Sequence, residues 1–285
     1  MNEDSPPLTN YAELLSAYAR ERHANSTVVR LGFGSLDADM RGISPGQVCG
    51  FAARTAVGKT WALATVEHNC MAGYGVLSLS LEMPGLEWAE RALAIYADVA
   101  PEQVEIWAKE KRLIEEATAF VHAARNVVLC EEPVNILDLE GLIEAARHRV
   151  PVRLVLIDYL GLISASGRDT YERASTVGKK LKEVAKRAKV AIVVALQVSR
   201  AGGDGSTPIT LDMLRDSGVI EESMDFVVGC WRPGRNTDAD PIEQLALQDV
   251  MRCQLLKNRK GQDGRIVDLV FRERSRKLFE QATFA

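Results

Sequence analysis

The sequence predicts an α/β fold with a mostly parallel sheet, and two observations carry that expectation. From Val29 onward, short apolar runs alternate with helical patterns, the order that a parallel sheet with crossover helices requires. One of these runs, 48–52, leads directly into Ala53-Arg54-Thr55-Ala56-Val57-Gly58-Lys59-Thr60, and a mostly apolar stretch to Cys70 follows. This is a strand, a tight loop and a helix start: a phosphate-binding loop of the G-x-x-x-x-G-K-[ST] type, with Ala53 where the first glycine usually stands. Backbone N–H groups of such a loop and the positive end of its helix converge on a place that suits an anion. Lys59 is expected to reach the β- and γ-phosphates of a nucleoside triphosphate, and the Thr60 hydroxyl to ligate Mg²⁺.

Taken in order, the first element is a short amphipathic helix: Tyr11, Leu14, Leu15 and Tyr18 recur at i, i+3, i+4 and i+7 behind Asn10 as a cap. A polar tether follows. Such a helix either folds back on its own domain or docks on a neighbour, and the pattern does not choose. Further strands are predicted at 75–80, 126–129, 154–157, 191–196, 226–231, 251–257 and 267–271, and helices at 60–72, 86–96, 101–124, 136–148 and 174–188. The last two strands flank 257–264 without a helix between them, which predicts an antiparallel hairpin at the sheet edge. Gly, Asp, Ser and Pro mark loops at 164–170, 200–210 and 233–240. No linker interrupts the rest, so residues 1–28 form an appendage and 29–285 one domain.

Composition narrows the class. With 47% hydrophobic and 26% charged residues, the chain suits an ordinary globular core. No apolar run is long enough to span a bilayer, and the acidic N-terminus resembles no secretory or transit signal. A cytoplasmic protein without membrane attachment is expected. Cysteines 49, 70, 130, 230 and 253 are widely spaced, form no C-x-x-C pair and read as buried free thiols. The four histidines are scattered and suggest no zinc site. A net charge of -4 argues against coating nucleic acid with a basic surface but leaves room for a narrow basic channel.

Three strand ends complete a candidate nucleotide site. The run Leu154-Val155-Leu156-Ile157 ends in Asp158, a carboxylate suited to Mg²⁺. The run Val76 to Leu81 ends in Glu82, which either takes the proton of an attacking water or is a solvated strand-end acid. A third run delivers Gln197, whose neutral amide can hydrogen-bond a γ-phosphate and register its loss. Ligands of open α/β sheets bind at the carboxyl ends of strands, so these side chains can face one phosphate. Lys257-Asn258-Arg259-Lys260-Gly261 lies in the hairpin; it either serves a neighbouring subunit's triphosphate or is a solvated basic turn. Lys179, Lys180, Lys182, Lys186, Arg187 and Lys189 read as the wet face of a helix whose apolar stripe is Val177, Leu181, Val184 and Ala188.

These motifs, taken together, resemble the C-terminal motor domain of DnaB-type replicative helicases. The likeness runs from Gly32-Phe33-Gly34-Ser35-Leu36-Asp37, through Gly42 and Pro45-Gly46, to the phosphate loop, whose Ala53-Arg54 start is typical of that family. Ser80-Leu81-Glu82-Met83, Ile157-Asp158-Tyr159-Leu160, Gln197-Val198-Ser199-Arg200, Leu214-Arg215-Asp216-Ser217-Gly218 and Lys257-Asn258-Arg259 follow in the family's order. The resemblance implies a RecA-like P-loop NTPase core in six-membered rings, with ATP between subunits and single-stranded DNA in the central channel. It gives Lys59 and Thr60 phosphate and Mg²⁺ binding, Glu82 the general-base role, Asp158 the metal and Gln197 the γ-phosphate. Lys257 and Arg259 become cations acting in trans. Arg215, Asp216 and Gly218 match positions that grip the DNA backbone, and the N-terminal helix matches a linker helix that packs on the adjacent subunit.

Two departures from the family pattern stand out. Only some thirty residues precede Val29, where full-length relatives carry a collar domain that bears on primase or loader docking and ring stability. The loop Ala201-Gly202-Gly203-Asp204-Gly205-Ser206-Thr207-Pro208 holds no Lys or Arg, whereas the family's channel loop is often basic. Two functions are therefore expected as alternatives: an ATP-dependent helicase that unwinds DNA in replication, or a RecA-superfamily ATPase acting as an accessory or regulator without unwinding.

Overall fold

Strand β1 (Val48–Ala53) is buried along its whole length and forms the axis of the molecule. The computed structural model describes residues 10–12, 14–16, 19, 28–199, 203–214, 218 and 222–281. Around β1 lie β2 (Gly75–Ser80), β3 (Val127–Cys130), β4 (Val152–Asp158), β5 (Ala191–Gln197), β6 (Phe226–Trp231), β7 (Val250–Asn258), β8 (Ile266–Phe271) and β9 (Leu278–Glu280). They form one nine-stranded sheet in the order β3-β2-β4-β5-β1-β6-β7-β8-β9. The six strands from β3 to β6 are parallel, and β7, β8 and β9 are antiparallel.

The parallel part is covered on both faces, as parallel sheets are. Along β4, Leu154 and Leu156 join one apolar cluster and Val155 and Ile157 the other, the period-two alternation of a strand. The first cluster takes in α1 (Gly34–Met40) and α2 (Lys59–Cys70); the second takes in α6 (Leu139–Arg147) and α7 (Thr170–Arg187). Helices α3 (Gly85–Ala97), α4 (Pro101–Lys109) and α5 (Leu113–Ala123) build a satellite cluster around Leu93, Ala94, Val104 and Trp107. A short α8 (Pro241–Ala246) precedes β7.

The structure departs from the sequence pattern at particular places. The predicted helix 101–124 is two helices, because Lys111 takes a left-handed φ of 60° and the Arg112 N–H turns back to the Trp107 carbonyl. That turn lets Trp107 and Phe120 pack on one satellite core. Helix α7 starts at Thr170 rather than 174, because the Asp169 side chain accepts from the Glu172 N–H at 2.8 Å. Helix α6 starts at Leu139 rather than 136, after a turn closed by the Asp138 N–H on the Asn135 carbonyl at 2.9 Å. The β7–β8 hairpin is present but not at the edge, which β9 occupies. Strand β9, with three residues, is too short to show a period.

Four of the five cysteines are buried and Cys130 is half-buried; all are free. Among the described residues no helix is long and apolar enough to cross a membrane. Residues 11, 12, 14–16 and 19 are helical, and Tyr11, Leu14 and Leu15 are 85%, 51% and 66% exposed, so the described part of the domain leaves these three uncovered. Tyr18 lies outside the described residues.

Asp37 ties the approach to β1. Its buried carboxylate accepts from the Leu31 and Gly32 N–H groups at 2.7 and 2.8 Å. Burial raises its pKa, while these backbone donors pull it back. Replacing Asp37 with Ala strands both donors, each worth about 1–3 kcal/mol when orphaned in the interior. Asp37→Ala is therefore expected to lower the urea midpoint clearly without changing the m-value; an unchanged midpoint would contradict this role.

Candidate nucleotide-binding site

The phosphate loop leaves β1 at Ala53, a fully buried strand residue paired with Gln197 on β5. An extended strand residue needs no glycine, which explains how alanine serves there. The requirement for glycine falls instead on Gly58, with φ 123°. A Cβ there would lie 2.7 Å from Phe271 Cζ, so only glycine fits the turn. No side chain caps the start of α2, so its first N–H groups can meet an anion. Thr55 and Ala56 are exposed at the loop's tip, and Lys59 Nζ folds back onto the Ala53 and Arg54 carbonyls at 3.0 and 3.3 Å.

Register then brings the strand-end residues to the same edge. Ser80 on β2 is level with Asp158 on β4, and the Asp158 carbonyl accepts from the Leu81 and Glu82 N–H groups at 3.0 and 3.2 Å. Glu82 is thereby held by its backbone while its side chain stays exposed. From β5, the Gln197 amide donates to Thr55 Oγ1 at 3.2 Å, bridging strand end and phosphate loop. Asp158 is 1% exposed, and neither of its carboxylate oxygens has a hydrogen-bond partner of ordinary geometry. Thr60 nonetheless approaches closely enough to favour its ionised form.

The electrostatics link the same groups. Burial pushes the Asp158 carboxyl up and Glu82 adds to the push, while Thr60, Lys59 and Arg91 oppose it. Burial likewise pulls the Lys59 ammonium down, and Asp158 and Glu82 draw it back up. An uncompensated buried carboxylate is costly, and a hard divalent cation is what such an oxygen pair fits. Among the described residues no group of three or more His, Cys, Asp or Glu side chains could hold a metal. Mg²⁺ fits that donor set, since it characteristically takes one or two protein oxygens and completes its shell with phosphates and water.

The hairpin cations are not part of this cluster. Strand β6 starts level with Cys49 near the beginning of β1, and Asn258 on β7 lies opposite Phe226. Arg259 therefore sits at the other end of the sheet, the length of β1 away, or roughly 15–20 Å. It cannot reach its own phosphate loop. The Arg259 N–H donates to the Asp225 carbonyl at 3.0 Å, and its Nη2 to the Glu222 carbonyl at 2.8 Å. Lys257 is at the same end of β7. Arg215 and Asp216 lie outside the described residues, and Gly218 is exposed.

Sequence reasoning missed several neighbours of the site. Arg91 on α3 stacks over Trp61 at 5.1 Å and is felt by Asp158. Phe271 lies against Gly58 and is flanked by the Arg232 and Arg276 guanidinium groups at 4.6 and 4.9 Å. Gly205, φ 90°, packs the loop after β5 onto the phosphate loop; a Cβ there would lie 2.7 Å from Val57. Lys182 is a correction: read as part of a wet face, it is mostly buried and pairs with Asp225. No local pattern marks these contacts, because each joins residues distant in sequence.

A buried parallel sheet with a glycine-turned phosphate loop and an orphaned strand-end carboxylate defines a nucleotide-dependent P-loop ATPase domain. Comparison with known proteins makes this specific. The chain matches the family described as DnaB-like helicase C terminal domain over residues 28–280 and belongs to that family. It is 28% identical over 248 residues to the replicative DNA helicase DnaB of Leifsonia xyli subsp. xyli, covering 79% of this chain and 52% of that protein. The DnaB of Haemophilus influenzae is 28% identical over 260 residues, covering 86% of this chain and 54% of its own length. The chain thus spans about half the length of the curated relatives it matches. A solved ATPase domain superposes with a TM-score of 0.83 at 20% identity, covering 97% of this chain and all of that one. A DnaB-like replicative helicase, solved in a study of its interactions with primase, gives 0.77 at 21% identity, covering 98% and 68%. These two establish the RecA-like fold.

Asp158 carries a prediction with a definite sign. Its folded-state pKa is raised, so the ionised form penalises the folded state once pH exceeds the ordinary carboxylate value, and the penalty grows until the folded group itself ionises. In the nucleotide-free protein, Asp158→Asn is expected to raise the melting temperature by a few degrees at pH 7. The gain should vanish near pH 3–4, and Mg²⁺-dependent turnover should be lost. Thermal melts across pH check it; equal stability at pH 7 would contradict the buried unpaired carboxylate. A second prediction concerns the turn: Gly58→Ala, strained by about 1–3 kcal/mol, should weaken nucleotide binding about tenfold or more, measured by titration with a fluorescent ATP analogue.

Proposed function

We propose that this chain is the motor of an ATP-dependent DNA helicase that assembles as a ring, most simply a hexamer, translocates on single-stranded DNA and unwinds duplex during replication. The observation that carries this reading is the split of the machinery between opposite ends of one sheet. Lys59, Thr60, Glu82, Asp158 and Gln197 stand at one end, and Lys257 and Arg259 at the other. A triphosphate on the loop can receive those cations only from another protomer. Membership of the DnaB-like family supports the same arrangement.

In this reading residues 53–60 bind ATP. The loop N–H groups and Lys59 take the phosphates, Lys59 exchanging its two loop carbonyls for phosphate oxygens. Thr60 and Asp158 hold Mg²⁺, which, when bound, neutralises charge on the β- and γ-oxygens. Glu82, exposed and backbone-anchored, accepts the proton of the attacking water. Gln197 leaves Thr55 for the γ-phosphate and returns on its loss. Lys257 and Arg259 of the adjoining protomer stabilise the charge of the transferring phosphoryl group.

DNA contact is assigned to Arg215, Asp216 and Gly218, which match backbone-gripping positions. The loop 201–208 carries no cation, so single-strand affinity depends on Arg168, Arg200 and Arg215, with a log–log salt slope of roughly -0.7 per phosphate contacted. Residues 1–28 serve as a docking helix and tether on a neighbouring protomer, and 29–285 as the motor domain, acting in the cytoplasm. A primase or a helicase loader is the proposed protein partner.

Two measurements test this function. Forked DNA should be unwound by the wild type with ATP and not by Lys59→Ala; a wild type that forms rings and hydrolyses ATP without separating strands would leave an accessory ATPase instead. Removal of residues 1–24 should lower the assembly state in sedimentation, since the apolar stripe of Tyr11, Leu14, Leu15 and Tyr18 that docks on a neighbour is removed with it; unchanged sedimentation would contradict the docking role.

A further inference from the structure

Arg259 is held at its root by the main-chain carbonyl of Asp225, and the buried carboxylate of the same residue faces its guanidinium. Asp225, 4% exposed, occupies the turn before β6. Its Oδ2 accepts from the Val48 N–H at 2.8 Å and from Lys182 Nζ, and its Oδ1 lies 3.6 Å from Arg259 Nη1. Its backbone adds two bonds: its N–H donates to the Val48 carbonyl at 2.9 Å, and its carbonyl accepts the Arg259 N–H at 3.0 Å. Lys182 also donates to the Gly46 carbonyl at 2.7 Å. One carboxylate therefore joins the start of β1, the middle of α7 and the end of β7.

Neutralising Asp225 does not require Arg259, because Lys182 already supplies a cation. The guanidinium is an addition, and it differs from Lys182 in exposure: the Arg259 side chain is 46% exposed, that of Lys182 17%. With Glu222 and Asp225 each facing one nitrogen among the described residues, other N–H donors of the guanidinium can turn to an anion. A free arginine side chain loses rotamer freedom when it is ordered. A guanidinium ordered beforehand loses less at the moment of reaction, and preorganised charge is what phosphoryl transfer uses.

We propose that Asp225, braced by Lys182, is a positioning residue for ATP hydrolysis: it holds Arg259 at the rim of one protomer in the pose that meets the triphosphate of the next. This inference rests on the trans role of Arg259 proposed above. It adds a residue that touches no nucleotide and acts only through the cation it holds. Asp225→Asn keeps the shape and an acceptor for Val48 but removes the charge that faces the guanidinium, leaving it the Glu222 carbonyl. Asp225→Asn/Lys182→Met does the same without leaving a buried ammonium unpaired, so one of the two remains interpretable if the other folds poorly.

The expected result is a kcat for ATP reduced about 10- to 100-fold, with KM for ATP and ring assembly unchanged. The decisive arm mixes subunits. Either Asp225 variant is combined with Lys59→Ala, which lacks the phosphate-loop lysine but retains Asp225 and Arg259; phosphate release should exceed the sum of the separate proteins severalfold. Arg259→Ala combined with Lys59→Ala is the reference mixture. If Arg259→Ala is complemented but the Asp225 variants are not, or if those variants keep full kcat alone, the positioning role is wrong and the trans role stands. If Arg259→Ala itself is not complemented, the trans reading fails, and the inference with it.

Discussion

Parallel pairing of β2, β4, β5 and β1 in close register is the constraint on which the rest depends. It brings the last residues of four strands to one edge, so residues 144 positions apart, such as Arg54 and Val198, come within hydrogen-bonding distance. It also dictates the opposite outcome for Arg259. An antiparallel β7 must carry its C-terminal residues to the far end of the sheet, away from the loop that β1 feeds. The same hydrogen-bond ladders thus gather Lys59, Glu82, Asp158 and Gln197 at one end and hold Lys257 and Arg259 at the other.

A cost accompanies the assembled half. Asp158 is buried without a hydrogen-bond partner of ordinary geometry, and Lys59 is half-buried against backbone carbonyls. Neither arrangement serves the stability of the empty protein, since each charged form is disfavoured by burial. A polyanion with a divalent cation reverses both penalties at once. This is the signature of a site shaped for a ligand rather than for the fold.

Much of this was legible in the sequence because the informative segments are local. The strand–loop–helix around Gly58 and the apolar runs ending in Glu82, Asp158 and Gln197 carry their meaning in consecutive residues, so strands β1 to β8 and the gathered strand ends were readable. What was not legible is non-local or very short. Strand β9 has no period to read, and the break at Lys111 depends on where Trp107 and Phe120 pack. Lys182 looked like one of many solvated lysines until Asp225, 43 residues away, was placed against it. The stacking of Phe271 on Gly58 is of the same kind.

On the proposed function, each triphosphate is shared between two protomers. A structure of the assembled protein with a non-hydrolysable ATP analogue, Mg²⁺ and single-stranded DNA tests it most directly. Lys59, Thr60 and Asp158 of one protomer are expected around the phosphates and metal, with Arg259 of the adjoining protomer within hydrogen-bonding distance of the γ-phosphate. An analogue enclosed by a single protomer, with every Arg259 remote from every phosphate, would contradict it.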